Sequence, residues 1–159
     1  MTDLIDFAQV AAGGRNLCVV STLRADGTIQ SSVVNAGVLD VSPTGAPVVA
    51  FVAHGGSQKL ANLRARPVTT IVARAGLGWV AVEGIAVLCG PDDPFAGIGA
   101  EGIRLLLRQI FTVAGGTHDD WDTYDQVMAK ERRTAVLLAP RRLCVDTGDE
   151  GHALRRRVF

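Results

Sequence analysis

Residues 17–38 read LCVVSTLRADGTIQSSVVNAGV, and the strand pair that they predict sets the architecture of the chain. Residues 17–23 are rich in apolar and β-branched side chains, which favour extended strands. They lead into Asp26-Gly27, a pair typical of tight hairpin turns because glycine accepts a positive φ angle. The segment therefore predicts two antiparallel strands, of which the second runs over residues 28–38.

Further strands are predicted on the C-terminal side of this hairpin. Residues 46–53 form an almost unbroken apolar run, which is typical of a strand buried on both faces. Residues 68–74 and 79–88 predict two more strands, and residues 134–139 and 143–146 predict one or two late strands. Because short turns join most of these strands, we expect a mainly antiparallel sheet, and six such strands can close into a small barrel.

Helices are predicted where apolar residues recur at helical spacing. They lie over residues 3–12, 57–66 with Ser57 as the N-cap, 103–113, and 117–128. The expected fold is therefore mainly β with peripheral helices, in one domain over residues 1–146. A polar, arginine-rich C-terminal tail over residues 147–159 is expected to be frayed.

Composition excludes several classes of protein. The chain of 159 residues has 48% hydrophobic residues, which is enough for one domain with a substantial core. Sixteen Lys and Arg balance sixteen Asp and Glu, which argues against nucleic acid as the main partner because phosphate neutralisation needs clustered positive charge. The sequence shows neither a membrane-spanning apolar run nor a secretory leader. Cys18, Cys89 and Cys144 are widely spaced, which fits reduced thiols in a cytoplasmic protein.

Familiar catalytic and metal-binding patterns are not expected to act here. Residues 97–102 match G-x-G-x-x-G, but a dinucleotide site needs a buried strand directly before the first glycine, and Pro91 and Pro94 argue against one. The histidines and cysteines show no metal-ligand spacing, so no metal is expected. No pair of carboxylates stands out as an acid and base. The catalytic residues therefore stay unassigned.

The junction at residues 55–59 is a candidate anion site. Its two glycines let the backbone pass close to a ligand, and the start of the following helix offers free N–H groups. Ser57 and Gln58 add polar side chains. Lys59 opposes the helix dipole by roughly 0.3–1 kcal/mol unless an anion lies beside it. The alternative is that the glycines only turn the chain and Lys59 points into water, and the residues alone leave both interpretations open.

A second group of polar residues interrupts the strand predicted over residues 28–38. The group consists of Gln30, Ser31, Ser32 and Asn35. On an inner strand such groups need partners, because an unmade buried hydrogen bond costs about 1–3 kcal/mol. A ligand with many carbonyl and amide groups would supply those partners. The alternative is a strand with one solvated face.

Residues 55–64 resemble the actinobacterial deazaflavin-dependent (F-420) branch of the pyridoxamine-5′-phosphate-oxidase-like split-barrel family. Three further segments agree with the same family in order and spacing: residues 23–27 leading into 30–32, residues 79–84, and residues 121–124 with 131–133. The resemblance therefore covers roughly residues 15–146. It implies a six-stranded antiparallel split β-barrel, a homodimer, and a flavin-type cofactor in a groove between the subunits.

The resemblance also implies a set of cofactor-binding residues. The cofactor phosphate would be held by Ser57, Gln58 and Lys59, with Asn62 assisting. The deazaflavin ring and ribityl chain would be lined by Gln30, Ser31, Ser32 and Asn35. The same groove would include Gly78, Trp79, Val80 and Ala81. The acidic tail would face Arg132 and Arg133. The family often has an additional arginine near Ser57, and its absence here makes phosphate binding depend more on Lys59.

The function implied by the resemblance is an oxidoreductase that uses F-420 to transfer hydride to or from a small organic substrate. The cofactor carries that chemistry, so no protein acid or base is required. One alternative is an FMN-dependent oxidase or reductase on the same fold, since relatives in the family use FMN. Another alternative is a non-catalytic protein that binds or stores the deazaflavin.

Overall fold

The computed structural model describes residues 4–146, 148 and 154–159, which contain four helices and seven strands. The helices are α1 (Ile5–Gly13), α2 (Gln58–Ala65), α3 (Ala100–Val113) and α4 (Trp121–Lys130). The strands are β1 (Leu17–Leu23), β2 (Ile29–Leu39), β3 (Val48–Ala53), β4 (Val68–Ala75), β5 (Gly78–Cys89), β6 (Thr134–Asp146) and β7 (Arg155–Val158). No helix in the described ranges is long and apolar enough to cross a bilayer.

Six strands close into an antiparallel barrel. Neighbouring strands follow the order β3-β2-β1-β4-β5-β6, and β6 pairs back with β3 to complete the circle. Every pairing is antiparallel, as expected for strands joined by short turns. The prediction of a mainly β fold built on a six-stranded antiparallel barrel with peripheral helices is confirmed.

The interior of the barrel is filled by alternate side chains of its strands, because successive residues of a strand point to opposite faces. Val20, Phe51 and Ile71 are among the fully buried residues of this core. Phe7 of α1 and Leu60 of α2 pack into the same cluster, so both short helices are anchored by the barrel interior.

The outer surface of the barrel divides into a covered part and an exposed part. Leu107 and Ile110 of α3 and Tyr124 of α4 pack on the outer side of β3 and β6, where they form a second apolar cluster. Large apolar side chains on the outer side of β1, β2 and β4 stay exposed. This exposed sheet face comprises Leu17, Val19, Leu23, Ile29, Val33 and Val68.

The C-terminal part of the chain differs from the sequence prediction in two ways. The one or two late strands are a single strand, β6, which continues through Pro140. Its pairing with β5 shifts register between Glu83 and Gly84, where Arg141 of β6 is left out of the pairing. The tail is not wholly frayed, since β7 pairs with residues 142–145 of β6. The division of the chain at residue 146 stays a prediction.

Candidate functional site

A cleft with a volume of about 500 Å³ opens on the outer side of the barrel. Its walls come from β2, β3, the C-terminal end of α3 and the side chains of α4. Four basic side chains line it, and none of its lining residues within the described chain is acidic. The basic residues are Arg15, His54, Lys59 and Arg133. The cleft is therefore electropositive and suited to an anionic ligand.

Of these four side chains, Lys59 has the least favourable environment for its charge. It lies half-buried in the first turn of α2 and forms no ion pair within the described part of the chain. Burial lowers the pKa of its ammonium below the ordinary value, and the positive charge of Arg133 lowers the pKa further. An anion held between Lys59 and Arg133 would offset both effects and the unfavourable helix dipole.

The N-terminal end of α2 lies where the sequence predicts it, but its cap is incomplete. Ser57 is the N-cap residue with an extended backbone, and its side chain makes no capping hydrogen bond. The Ser57 hydroxyl oxygen is buried and has no hydrogen-bond partner within residues 4–146 and the other described positions. Such an orphaned polar atom next to Lys59 marks a place where the chain alone does not satisfy its own polar groups.

The turn before α2 is fixed by the turn that follows α4. The N–H of Gly55 donates to the carbonyl oxygen of Glu131 at 3.1 Å. A Cβ atom on Gly55 would lie 2.7 Å from the carbonyl oxygen of Arg132, so only glycine fits. The close approach that the two glycines indicated is therefore made by the protein's own backbone. At Gly56 the nearest atom to an added Cβ is 3.8 Å away, in the ring of His54.

The two arginines after α4 have different positions. Arg132 adopts a left-handed backbone with φ of 49° and pairs with Asp92, its Nε lying 2.8 Å from Oδ2, and it does not line the cleft. Arg133 lines the cleft together with Lys59, and its Nε donates to Glu131 Oε2 at 2.7 Å. The geometry therefore brings Arg133 to the cleft and leaves Arg132 outside it.

Three of the predicted polar residues take part in a hydrogen-bond network within the protein and do not line an open groove. Gln58 Nε2 donates to Asn62 Oδ1 at 2.9 Å, and Asn62 Nδ2 donates to Thr22 Oγ1 at 3.0 Å. Thr22 Oγ1 in turn donates to Gln30 Oε1 at 3.0 Å. Asn62 is 1% exposed, so this network ties α2 to the hairpin from inside. The protein itself supplies the partners that a ligand was expected to supply.

The other polar residues of β2 lie on opposite faces of the strand. Ser31 faces outward, where its hydroxyl shares a 2.8 Å hydrogen bond with that of Ser21. Ser32 faces the barrel interior, and its buried hydroxyl oxygen has no partner among the described residues. Asn35 lines the cleft, and its Nδ2 donates to the carbonyl oxygen of Arg15 at 3.4 Å.

The predicted segment on β5 lies far from the cleft within one subunit. Val80 points into the barrel and is completely buried, whereas Trp79 and Ala81 face outward. Two strands, β1 and β4, separate β5 from β2, which at about 4.8 Å per strand spacing amounts to roughly 14 Å. Gly78 is buried at the start of β5. Trp79 therefore does not line the cleft within one subunit.

Sequence reasoning missed several residues of the cleft. Arg15 lies in a left-handed turn with φ of 58°, and no local pattern indicates its role. Phe111 and Tyr124 supply aromatic walls, with ring centroids 5.0 Å apart. Burial raises the pKa of Tyr124 to about 12, and its hydroxyl donates to the carbonyl oxygen of Leu107 at 3.1 Å. His54 could have been found from the sequence, because it directly precedes the two glycines of the turn before α2.

The closed antiparallel barrel and its flanking helices define a split β-barrel fold. No protein-family model matches the chain.

Solved structures that resemble this chain share its fold at low sequence identity. A pyridoxamine 5′-phosphate oxidase-related, FMN-binding protein from Nostoc punctiforme is 10% identical with a TM-score of 0.62, and the match covers 100% of this chain and 98% of that one. A heme-binding protein from Mycobacterium smegmatis is 17% identical with a TM-score of 0.65, over 99% of this chain and 59% of that one. A conserved hypothetical protein from Mycobacterium tuberculosis is 18% identical with a TM-score of 0.61, over 90% and 82%.

Proposed function

We propose that this protein is an oxidoreductase that binds a deazaflavin (F-420) in the basic cleft and transfers hydride to or from a small organic substrate. The observation that carries the proposal is the half-buried Lys59, which faces Arg133 in a cleft without an acidic lining residue among those described. The desolvated charge of Lys59 near a second cation is unfavourable by itself, and a phosphate group is the kind of anion that two adjacent cations hold.

The side chains that line the cleft are chemically suited to a flavin-type group. Lys59 and Arg133 suit its phosphate, and the Asn35 amide can bond to a polar edge of the ligand. The aromatic walls of Phe111 and Tyr124 suit a planar apolar ring. A bound deazaflavin supplies hydride transfer, while the chain binds it, orients it and excludes water. The FMN alternative would use the same phosphate-binding pair, and the FMN-binding structural relative is its support.

A spectroscopic titration tests which cofactor binds. F-420, FMN and riboflavin are added separately to the purified protein, and the change in their visible absorbance gives each Kd. We expect F-420 to bind more tightly than FMN, and riboflavin to bind weakly because it lacks the phosphate. Tight binding of FMN alone would favour the FMN alternative. Equal binding of FMN and riboflavin would contradict the phosphate site.

A turnover assay separates an enzyme from a storage protein. Reduced F-420 is mixed with the loaded protein and with quinone or tetrapyrrole acceptors, and its reoxidation is followed by absorbance. Reoxidation that depends on both protein and acceptor is expected. Tight binding without transfer to any acceptor would support the storage alternative.

The proposal includes a homodimer in the cytoplasm. The exposed sheet face supports the dimer, since Val33 is 63% exposed and lies opposite the 42% exposed Val19. A contiguous apolar patch of this kind marks an association surface. Trp79 would then approach the cleft from the second subunit. The three free cysteines support a reducing compartment.

A further inference from the structure

A second cavity of about 540 Å³ lies between the two outer helices, and we call it the α3–α4 groove. Ile103 and Leu107 of α3 form one wall, and Met128 and Ala129 of α4 form the other. Its lining is almost entirely apolar, and its volume falls within the roughly 300–1,000 Å³ typical of small-molecule sites. The small side chains of Ala100 and Ala129 leave the space that larger residues would fill.

Ion pairs hold the helices on either side of this groove. Asp125 of α4 accepts from Arg104 Nη1 at 2.9 Å and from Arg108 Nε at 2.9 Å, both on α3. At the other end of α4, Arg132 pairs with Asp92 in the loop before α3. Ion pairs therefore connect the two sides of the apolar opening at both ends of α4.

Arg133 lies in the wall that the groove shares with the basic cleft. Its side chain is 29% exposed, and its Nε donates to Glu131. Its terminal Nη groups make no hydrogen bond within the part of the chain that the structure describes. Because guanidinium groups carry donors in a planar fork, these two nitrogens can take a carboxylate or sulfonate in a bidentate bond.

We propose that the α3–α4 groove binds a small apolar molecule that carries one negative group, with Arg133 donating to that group. The apolar walls accommodate the body of the molecule, and the free end of the guanidinium supplies the complementary charge. Asp125 does not oppose the ligand, since Arg104 and Arg108 already neutralise it. This site adjoins the flavin cleft and shares Arg133 with it, but the proposal does not depend on cofactor binding.

Two fluorescent probes with the same rings test the proposal on the purified chain. Anilinonaphthalenesulfonate (ANS) carries a sulfonate, and N-phenyl-naphthylamine is its neutral counterpart. We expect both to bind at one saturable site per chain. Arg133→Gln should weaken ANS by about tenfold, as expected for one charge-assisted hydrogen bond, and leave the neutral probe within about twofold.

Cavity-filling variants locate the site. Ala129→Trp should weaken both probes by at least about tenfold because the indole fills the groove, and Ala100→Trp does the same from the opposite helix. Val127→Trp places the same side chain on α4 away from the groove and should leave both probes unchanged. Thermal melts identify any variant that fails to fold. If one of the two cavity-filling variants does not fold, the other one tests the position of the site.

Three results would overturn the proposal. Unchanged binding in a folded filler variant would place the probes elsewhere, such as on the exposed sheet face. An equal loss of both probes in Arg133→Gln would show that the guanidinium has only a structural role. Loss of ANS in Lys59→Met without loss in Ala129→Trp would place the sulfonate in the flavin cleft.

Discussion

Replacing Lys59 by Met should weaken cofactor binding and, at the same time, stabilise the ligand-free protein. The variant keeps an unbranched side chain but removes the half-buried charge beside Arg133. A charge-assisted hydrogen bond contributes about 1.5–3 kcal/mol, so at about 1.4 kcal/mol per decade the Kd for F-420 or FMN should rise roughly ten- to hundredfold. Added salt should weaken the wild type more than the variant, because screening acts on the charge pair.

The same substitution should make the ligand-free protein more stable at neutral pH. The pKa of Lys59 is lowered in the folded state, so keeping it charged opposes folding below that pKa. This destabilisation disappears as the pH rises through the unfolded-state pKa, near about 10.5. Wild type and variant should therefore differ in free energy of unfolding at pH 7 and converge toward pH 11, as measured by urea titration.

The chain offers a matched control, since its other lysine, Lys130, is exposed at the end of α4. Lys130→Met should change neither cofactor affinity nor the pH dependence. The reasoning would be refuted by equal affinity of Lys59→Met and wild type, or by equal losses in the two lysine variants.

Three further predictions follow from contacts, exposure and burial. Gly55→Ala should destabilise the fold by about 1–3 kcal/mol, because the added Cβ would meet backbone 2.7 Å away, whereas Gly56→Ala should stay within about 0.5 kcal/mol in urea unfolding. Val33→Asp should convert the proposed dimer to monomers in sedimentation equilibrium, and Val41→Asp, at an 87% exposed position in a turn, should not. Wild-type stability should fall as the pH rises from 10 toward 12, since burial raises the pKa of Tyr124 to about 12; Tyr124→Phe should show a shallower fall. Because the sequence has one tyrosine, a tyrosinate absorbance midpoint near 10 in the folded protein would contradict this last prediction.

The barrel was predictable because its signals are local. Gly27 and Gly45 take the positive φ angles of 84° and 82° that the turn residues around them require, so the strand ends were well marked. The late strand was divided in the prediction because Pro140 usually ends a strand. The register shift beside the proline depends on the pairing of β6 with Glu83 and Gly84 of β5, more than fifty residues earlier, which a local pattern does not show.

The cleft was predictable only in part, because five separate segments of the chain build it. The unfavourable charge of Lys59 indicated an anion site from sequence. In the structure, Lys59 and Asn35 both line the cleft. Gln30 was assigned to a ligand because its partner could not be seen. Its hydrogen bond to Thr22 extends a network that depends on Asn62, which comes from a helix 40 residues after Thr22 in the chain. Such pairings depend on tertiary structure.

The unfavourable backbone of Arg132 lies next to Arg133, whose guanidinium pairs with Glu131 at the same turn. A non-glycine residue in the left-handed region costs about 1–2 kcal/mol, and glycine is the usual residue at this place after a helix. Arg132→Gly and Arg132→Ala both lose the exposed ion pair with Asp92, so their difference isolates the backbone. The glycine variant should be more stable than the alanine variant by about 1 kcal/mol in urea unfolding.

Equal stability of these two variants would show that the turn does not store strain. The predicted difference would instead mean that the chain tolerates strain where it positions Arg133, the residue shared by the cleft and the groove. Strained residues persist when the surrounding structure fixes them, and here the docking of Gly55 on the Arg132 backbone does so.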